Sequence, residues 1–377
     1  MLGGAAVALW MRNARIVSGL ILLTFVTGHL SNLMLGLHSL AAMEAARPYL
    51  MGPWHSTPGI VLLAGAAIVH ILLGIYALAS RRSLVVTKTD VVQLLLGFVT
   101  PPLLIGHAFA MHIAGEVTPK FDATFGQVLA IYWSFAPSYA IQQVCVVMVV
   151  WMHAAIGLYS WLVLKPVWRR VGGLVLPLLF AIPILALLGF AEAGKEVIAK
   201  LAAEPDWRAY VTANLGKVAK ATREFDALQA RLLAGYGVLV LAAIAFLAWR
   251  ILSTRLQRVT VAYDGGLSAK GRRGLSVLEL SLLNHVPHAH VCSGRGRCGT
   301  CRVRVEAGAE RLSPAEEAER KTLERVGAAA GERLACQARV LGAGVAVTRL
   351  LPAFADASAA RAPGEWTGQN AAAGAGE

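Results

Sequence analysis

The sequence predicts an α-helical integral membrane bundle of six spans, followed by a small α+β domain in water. The chain has 377 residues, of which 56% are hydrophobic and only 15% charged, whereas a soluble domain is about 25% charged. The charge is also uneven, because residues 16–190 are mostly apolar and residues 254–350 are charged and rich in glycine. Four of the five cysteines fall in the second region. This composition excludes a purely soluble enzyme and a disordered chain.

Six apolar segments are long enough, or nearly so, to cross a bilayer core of about 30 Å, which takes about 20 helical residues. They lie near 16–37, 58–79, 91–113, 138–163, 172–190 and 234–252. Basic residues cluster beside alternate flanks, as in Arg12 with Arg15 and Arg81 with Arg82. Since Lys and Arg mark the cytoplasmic side, we expect both termini in the cytoplasm. The net charge of +13 has the same explanation, so membrane lipid is the expected partner and nucleic acid is not.

These features divide the chain into three parts. Residues 1–253 form the membrane domain, residues 254–352 the soluble domain, and residues 353–377 a tail rich in Ala and Gly that we expect to be disordered. Between the last two spans, residues 191–233 carry both acidic and basic side chains with parts that favour an amphipathic helix. We therefore expect this loop to form a small helical cap outside the cytoplasm.

Histidines are concentrated in the first four spans and follow an internal repeat. An ionisable residue at this depth is a functional candidate, although a single one is as often a packing residue. Gly28-His29 recurs as Gly106-His107 after 78 residues. After 83 residues, a second motif recurs: His70-Ile-Leu-Leu-Gly74-Ile-Tyr76 returns as His153-Ala-Ala-Ile-Gly157-Leu-Tyr159. The repeat favours a shared function over independent packing roles.

The repeat places the histidines at two depths in the membrane. His29 and His107 each lie 17 residues beyond a polar residue at the inner edge of their span, or about 25 Å at 1.5 Å per residue. His70 and His153 lie about 16–18 Å from that edge. Two imidazoles facing each other at one depth in a four-helix core can supply both axial ligands of a b-type haem. The sequence therefore predicts an outer haem between His29 and His107 and an inner haem between His70 and His153.

Glycines of the repeat are the second part of this prediction. Gly74 and Gly157 lie one turn beyond the inner histidines on the same face, where they leave room for a flat ligand near the backbone. Gly28 and Gly106 precede the outer histidines and are further candidates for cofactor binding. His112 breaks the repeat, and it is either an alternative outer ligand or a polar residue near a quinone or a haem propionate.

These motifs resemble the dihaem cytochrome b membrane anchor of succinate:quinone oxidoreductases and fumarate reductases. That family has one His on each of four helices and a His-x-x-x-Gly-x-aromatic motif at its inner ligands. Gln93, followed fourteen residues later by His107, also matches the family and favours His107 over His112. The resemblance implies electron exchange with menaquinone or ubiquinone in a bacterial inner membrane. The chain departs from the family in having six spans and no flavin-binding or dicarboxylate-binding sequence, so succinate oxidation does not carry over.

Four cysteines of the soluble part have the layout of an iron–sulfur site. Cys292, Cys298 and Cys301 lie in a Gly-rich loop, and Cys336 follows 35 residues after the third. Zinc sites usually present two close pairs, whereas three loop cysteines plus a distant one predict a [2Fe–2S] cluster. Three glycines would let backbone N–H groups turn toward the sulfurs, namely Gly294, Gly296 and Gly299.

Charged residues near this loop leave alternatives open. Arg295 and Arg297 either offset the negative charge of the cluster or face solvent. His285, His288 and His290 also lie close by, and a His-ligated cluster is conceivable. Since four cysteines suffice, we interpret these histidines as surface or packing residues, and we expect Cys145 in span four to be a buried apolar residue.

Local patterns predict the elements of the soluble domain. We expect strands at Arg258–Tyr263 and Cys301–Glu306 and helices at Leu275–Asn284 and Ser313–Val326, the former with a Ser276-x-x-Glu279 capping box. The spacing of five residues between the first two cysteines resembles the adrenodoxin branch of ferredoxins. That resemblance implies a β-grasp sheet with one main helix.

The combination predicts electron transfer between a quinone pool, two b-type haems and a cytoplasmic [2Fe–2S] cluster. The order of the two parts, a six-span anchor and then a ferredoxin domain, resembles the N-terminal part of some bacterial class III adenylate cyclases. The resemblance includes the segments Val286-Pro-His-Ala and Arg333-Leu-Ala-Cys336-Gln. Their cyclase domain is not in this sequence. The alternative hypothesis is therefore a redox-sensing module for a separate effector such as a cyclase. We assign no catalytic residue, and we leave the cytoplasmic partner and a homo-oligomer open.

Overall fold

The N-terminal part of the chain is built from helices. The computed structural model describes residues 4–81, 83–85, 87–117, 124–165, 167–254, 256–356 and 359. Helices α1 to α9 comprise Gly4–Met34, Leu40–Leu50, Gly52–His55, Thr57–Ala79, Lys88–Val117, Phe125–Ala130, Pro137–Leu162, Trp168–Ala203 and Pro205–Ser253. Among the described residues, six of these helices are long and apolar enough to cross a membrane, namely α1, α4, α5, α7, α8 and α9. The prediction of six apolar helices is confirmed.

The outer surface of these helices is apolar. Ile141, Phe180 and Leu241 are 66–70% exposed, which is compatible with helices that cross a membrane. Cys145 is exposed on α7, so the expectation that it is buried was wrong. Hydrophobicity does not separate a lipid-facing position from a packed one, because lipid tails are as apolar as the bundle interior.

The two halves of the histidine repeat form two helix pairs. Helix α1 packs against α4, and α5 packs against α7. Helix α4 begins where Ser56 Oγ accepts the N–H of Gly59 at 3.2 Å, with a proline in the first turn. This cap satisfies a backbone donor at the helix start. Each pair therefore carries one outer and one inner histidine.

Residues 191–233 continue the flanking helices. Helix α8 runs to Ala203, and α9 starts at Pro205. Glu204 between them has an extended backbone, with φ −116° and ψ 91°, because a residue before proline avoids the helical region. In place of a separate cap, the segment consists of the end of α8 and the beginning of α9.

The C-terminal domain is a mixed five-stranded sheet with two helices. Strands β1 to β5 comprise Arg258–Tyr263, Ser268–Arg272, Arg302–Ala307, Glu332–Leu334 and Val345–Arg349. Their order is β2-β1-β5-β3-β4, with β1 and β5 parallel and the other neighbours antiparallel. Helices α10 and α11 comprise Val277–Leu283 and Glu317–Arg325. The predicted capping box is present at the start of α10, where Ser276 and Glu279 each bond the other's backbone N–H.

The tail predicted at residues 353–377 is described only at residues 353–356 and at residue 359. The rest of it lies outside the described residues.

An ion pair links β1 to β5 in the middle of this sheet. Asp264, directly after β1, accepts hydrogen bonds from Nε and Nη2 of Arg349 at the end of β5, both at 2.9 Å. These bonds lower the pKa of Asp264 to about 2. The carboxylate therefore stabilises the fold above its unfolded pKa of about 3.9, and this contribution is lost as the pH falls from about 4 to about 2.

Asp264→Asn is expected to destabilise the C-terminal domain by about 1 kcal/mol at neutral pH, a modest value because the pair is partly exposed and screened. Urea unfolding of the full chain, followed through the absorbance of the cysteine-bound centre, measures this loss. The difference between the variant and wild type should shrink as the pH falls below about 4, because the wild-type carboxylate then begins to be protonated. Amide hydrogen exchange of β1 and β5 follows this part of the experiment, since acid destroys an iron–sulfur cluster. A matched control is Glu310→Gln, whose carboxylate is 72% exposed. Equal midpoints for D264N and E310Q at pH 7 would contradict the prediction.

Candidate functional site

The four predicted cysteines lie together at one edge of the C-terminal domain. Cys292, Cys298 and Cys301 come from the loop between α10 and β3, and Cys336 follows β4. All four are buried, with exposures between 1% and 8%. Cys292 lies close enough to Cys298, and Cys301 to Cys336, for each thiol to shift the pKa of the other, so the thiols form two pairs.

The loop wraps its backbone around these thiols. N–H groups of Arg295, Arg297 and Cys298 point at the sulfur of Cys292. Positive φ angles make this possible at the three predicted glycines, and the values are 77° for Gly294, 67° for Gly296 and 75° for Gly299. At Gly299, an added Cβ would also lie 2.9 Å from Val326. Such a concave row of N–H groups stabilises negative charge on the sulfurs.

Two polar side chains that sequence inspection missed also contact the sulfurs. Thr300 Oγ1 lies 3.0 Å from Cys298 Sγ and accepts the N–H of Val291 at 3.2 Å, and its hydroxyl can donate to a thiolate at Cys298. Gln337 Nε2 donates to Cys336 Sγ at 3.3 Å and to the Gly294 carbonyl at 3.2 Å. Donors of this kind tune the potential of a sulfur-bound metal centre. Both residues are next to or near a cysteine in the sequence, and this position could have identified them as candidate sulfur contacts.

The thiol pairs fit a two-iron cluster. Four thiolates in two pairs provide two ligands for each iron of a [2Fe–2S] centre. His288 packs into the core at 4% exposure, with Nδ1 2.9 Å from Ser281 Oγ. Burial lowers its pKa to about 4, so it is a neutral packing residue.

The structure brings the four predicted histidines into two pairs inside the helical domain. The ring centroids of His29 and His107 are 6.0 Å apart. Those of His70 and His153 are 6.1 Å apart. The first pair joins α1 to α5, and the second joins α4 to α7. Each pair therefore takes one histidine from each half of the repeat.

Both inner histidines are oriented by backbone carbonyls. His70 Nδ1 donates to the Arg15 carbonyl at 3.2 Å, and His153 Nδ1 donates to the Gln93 carbonyl at 3.2 Å. Arg15 and Gln93 are 78 residues apart, the same offset as the outer histidines, so the repeat includes the carbonyls. Because a carbonyl can only accept, these contacts place the proton on Nδ1 and leave Nε2 as a lone-pair donor.

The outer pair has a different environment. His29 stacks on Phe25 with centroids 5.9 Å apart, and its Nδ1 lies 3.2 Å from Met51 Sδ. His107 Nδ1 is buried and has no hydrogen-bond partner among the described residues. The side chain of His112, the alternative ligand, lies outside those the structure describes.

Glycines beside the histidines separate into two groups. Gly74 and Gly157 line the same cavity as the histidines, as predicted from the repeat. A Cβ at Gly28 would lie 3.7 Å from the Leu50 carbonyl, and one at Gly106 would lie 3.3 Å from Gln142 Nε2, so the cofactor-binding role of these two glycines stays a prediction.

Two other glycines, which the sequence analysis missed, give the inner rings their space. A Cβ at Gly19 would lie 3.0 Å from His70 Cε1, and a Cβ at Gly97 would lie 2.9 Å from His153 Cε1. Gly19 and Gly97 are again 78 residues apart. The recurrence of Gly at this offset was the available signal.

A continuous cavity connects the histidine pairs with the cysteine loop. Its volume is about 2290 Å³, and its lining includes all four histidines as well as Gly294 and Cys336. Single small-molecule pockets measure about 300–1,000 Å³. The space is therefore large enough for more than one bulky ligand.

Polar contacts hold the cysteine loop against the helical domain. Arg295 Nη2 donates to Asp90 Oδ1 at 2.7 Å, which answers the question whether Arg295 simply faces solvent. Ser83 Oγ donates to Glu279 Oε1 at 2.5 Å. On the apolar side, Leu164 packs against the buried pair Cys292 and Cys298. The thiols thus lie at the junction of the two domains.

Comparisons with known proteins concern the C-terminal domain. The family described as 2Fe-2S iron-sulfur cluster binding domain matches residues 264–341. Chlorosome protein I of Chlorobaculum tepidum is 36% identical over 73 residues, which cover 19% of this chain and 30% of that relative. An ISC-like [2Fe-2S] ferredoxin structure from Pseudomonas putida shares 27% identity with a TM-score of 0.23, over 26% of this chain and 94% of that one.

A small ferredoxin provides the decisive similarity. 2Fe-2S ferredoxin-5 of Aquifex aeolicus is 35% identical over 82 residues, which cover 22% of this chain and 85% of that protein. The match includes nearly the whole relative, and the buried thiol pairs fit its cluster. The chain therefore belongs, through its C-terminal domain, to the [2Fe–2S] ferredoxin family.

Proposed function

We propose that this protein transfers electrons within a membrane, between a quinone, two b-type haems and the [2Fe–2S] cluster. The observation that carries the proposal is the pairing of the four repeat histidines in a cavity that continues to the cysteine loop. The ferredoxin domain itself indicates electron transfer. Haem and cluster iron accept and release single electrons, and the protein supplies their ligands and surroundings.

Ring geometry supports bis-histidine haem ligation. With metal–nitrogen bonds of about 2.0–2.1 Å, two imidazoles on opposite sides of one metal have centroids about 6 Å apart. The observed separations are 6.0 and 6.1 Å. The inner histidines also keep Nε2 unprotonated through their carbonyl bonds. His29 and His107 would hold the outer haem, and His70 and His153 the inner one.

The domain junction supports a direct path to the cluster. Gln93, whose carbonyl orients His153, lies one helical turn from Asp90, which bonds Arg295 in the cluster loop. The same helix thus positions an inner ligand and the docked loop. These contacts keep the ferredoxin domain next to the inner histidine pair.

The membrane location and the quinone are part of the proposal. Six apolar helices are compatible with a multi-pass membrane protein. Arg12 and Arg15 of α1 lie at the same end of the bundle as the cluster loop. With the distribution of basic residues, this supports a bacterial inner membrane protein with both termini and the ferredoxin domain in the cytoplasm. Menaquinone or ubiquinone is the proposed membrane reactant.

A redox-sensing module for a separate effector, such as an adenylate cyclase, is the second candidate. The ion pair between Asp90 and Arg295 favours it, because a change in cluster charge acts directly on a contact between domains. A binding assay with the purified effector, repeated with oxidised and reduced protein, tests this function. Affinity independent of oxidation state argues against it.

Reduced-minus-oxidised spectra of membranes test the proposed function. We expect b-type haem bands in wild type, and loss of one haem in each of His29→Ala and His70→Ala. A short-chain quinol should reduce the haems first and then the cluster, followed by electron paramagnetic resonance. The matched control is His38→Ala, since His38 is exposed and does not line the cavity.

Two results would contradict the proposal. Membranes without b-type bands would show that the histidines are packing residues. A cluster that stays oxidised while quinol reduces the haems would show that the proposed path is interrupted.

A further inference from the structure

Arginines from both domains meet at the inner end of the cavity. Arg12 and Arg15 belong to α1, and Arg297 belongs to the cluster loop; all three line the cavity. Arg297 lies in the repulsive field of Arg12 and Arg15, and Arg15 in that of Arg295. Two segments that are far apart in sequence thus place like charges close together.

These charges lack acidic partners. The nearby Asp90 is engaged by Arg295 at 2.7 Å. Among the described residues, no ion pair involves Arg12, Arg15 or Arg297. Arg12 Nε is buried without a hydrogen-bond partner. The sulfur of Cys292 attracts Arg297, so the cluster offsets part of the charge at that residue but leaves the α1 side without an anion.

We propose that Arg12, Arg15 and Arg297 form an anion site that binds the propionate carboxylates of the inner haem. This inference rests on the proposed function. Arg15 is placed for the role, because its carbonyl accepts the Nδ1–H of His70 at 3.2 Å, which puts its side chain beside the inner ligand. Guanidinium groups match carboxylates with paired hydrogen bonds, and partly buried like charges need such a counterion.

The anion site couples binding of the inner haem to docking of the ferredoxin domain. Arg12 and Arg15 come from the membrane domain and Arg297 from the ferredoxin domain, so a bound carboxylate connects the two. Without it, repulsion among the arginines opposes the ion pair between Asp90 and Arg295. Loading of the inner haem therefore strengthens the contact that holds the cluster loop.

Arg12→Gln and Arg297→Gln test the site in the full-length protein. Both should lower the midpoint potential of the haem that is lost in His70→Ala, because a nearby positive charge favours the reduced state. Both should also speed chymotrypsin cleavage of the linker at Leu256, which is 85% exposed. The matched control is Arg304→Gln, an exposed arginine of β3. Arg12 is remote in sequence from the cysteines, so R12Q remains informative if R297Q disturbs the cluster.

The outcomes separate this inference from the proposed function. If wild type contains b-type haem and both R12Q and R297Q match R304Q in potential and cleavage, the anion site is wrong and the function stands. If wild type contains no b-type haem, the anion site and the proposed function are both wrong. A third arm compares nanodiscs of phosphatidylcholine with and without phosphatidylglycerol. If protection of the linker depends on phosphatidylglycerol and not on haem content, the site binds a lipid phosphate. That result would contradict the proposal that it binds haem propionates.

Discussion

Glu319→Ala is expected to destabilise the C-terminal domain by about 3–5 kcal/mol, the cost of leaving a buried charge without its partner. Glu319 is only 1% exposed, and its carboxylate accepts from Arg333 Nε at 2.8 Å and Nη2 at 3.0 Å. It also accepts the backbone N–H of Leu334 at 2.9 Å. Because Cys336 follows two residues later, the same carboxylate holds the segment that carries the fourth thiol. The variant should therefore lose its cluster more readily as well as unfold earlier.

Urea titration of the full-length protein in detergent, followed through the visible absorbance of the cluster, measures this effect. Glu317→Ala is the matched control on the same helix, since Glu317 pairs with Arg320 and Lys321 but is 37% exposed. Solvent screens an exposed pair, so the control midpoint should stay close to wild type. If E319A and E317A unfold at the same urea concentration, the buried pair does not hold the last ligand segment.

Gly97→Val is expected to prevent binding of the proposed inner haem while the proposed outer haem is retained. A Cβ at Gly97 would lie 2.9 Å from His153 Cε1, and the larger valine side chain increases the overlap. The ring has little freedom to move away, because its Nδ1 is bonded to the Gln93 carbonyl at 3.2 Å. Displacing the ring changes the direction of Nε2, the proposed metal ligand. Gly19→Val should act in the same way through His70.

Spectra of purified G97V, compared with His70→Ala, measure the loss of one of the two proposed haems. Gly65→Val is the control, because Gly65 lies on α4 with no heavy atom within 4 Å of the added Cβ and faces outward. Full haem content in G97V would show that the space beside His153 does not limit the site. Equal losses in G97V and G65V would point to a general packing defect.

Local patterns predicted most of the architecture. Apolar length was sufficient for the six helices, since a run of about 20 apolar residues is long enough for a helix that could cross a membrane. The capping box at Ser276 and Glu279 follows from contacts within one turn. The histidine repeat predicted the pairs 29/107 and 70/153, and the structure brings both pairs to about 6 Å.

Errors and omissions occurred where neighbours distant in sequence decide the outcome. Cys145 is exposed on α7, because apolar character alone does not distinguish an outward position from a packed one. The sequence analysis missed Gly19 and Gly97, because only the packing of the helices places them against the inner rings. The segment 191–233 has charges typical of a loop, yet it extends α8 and α9 around a break at Glu204.

By itself, the sequence determined the composition of the two domains, the repeat and the cysteine spacing, because these depend on residue type and local periodicity. Only the tertiary structure decided which groups meet. It placed the Arg15 and Gln93 carbonyls at the inner histidines and Glu319 under the Cys336 segment. It also brought Arg297 beside α1 at the end of the cavity. Such contacts depend on packing between remote segments, and no periodicity within either segment encodes them.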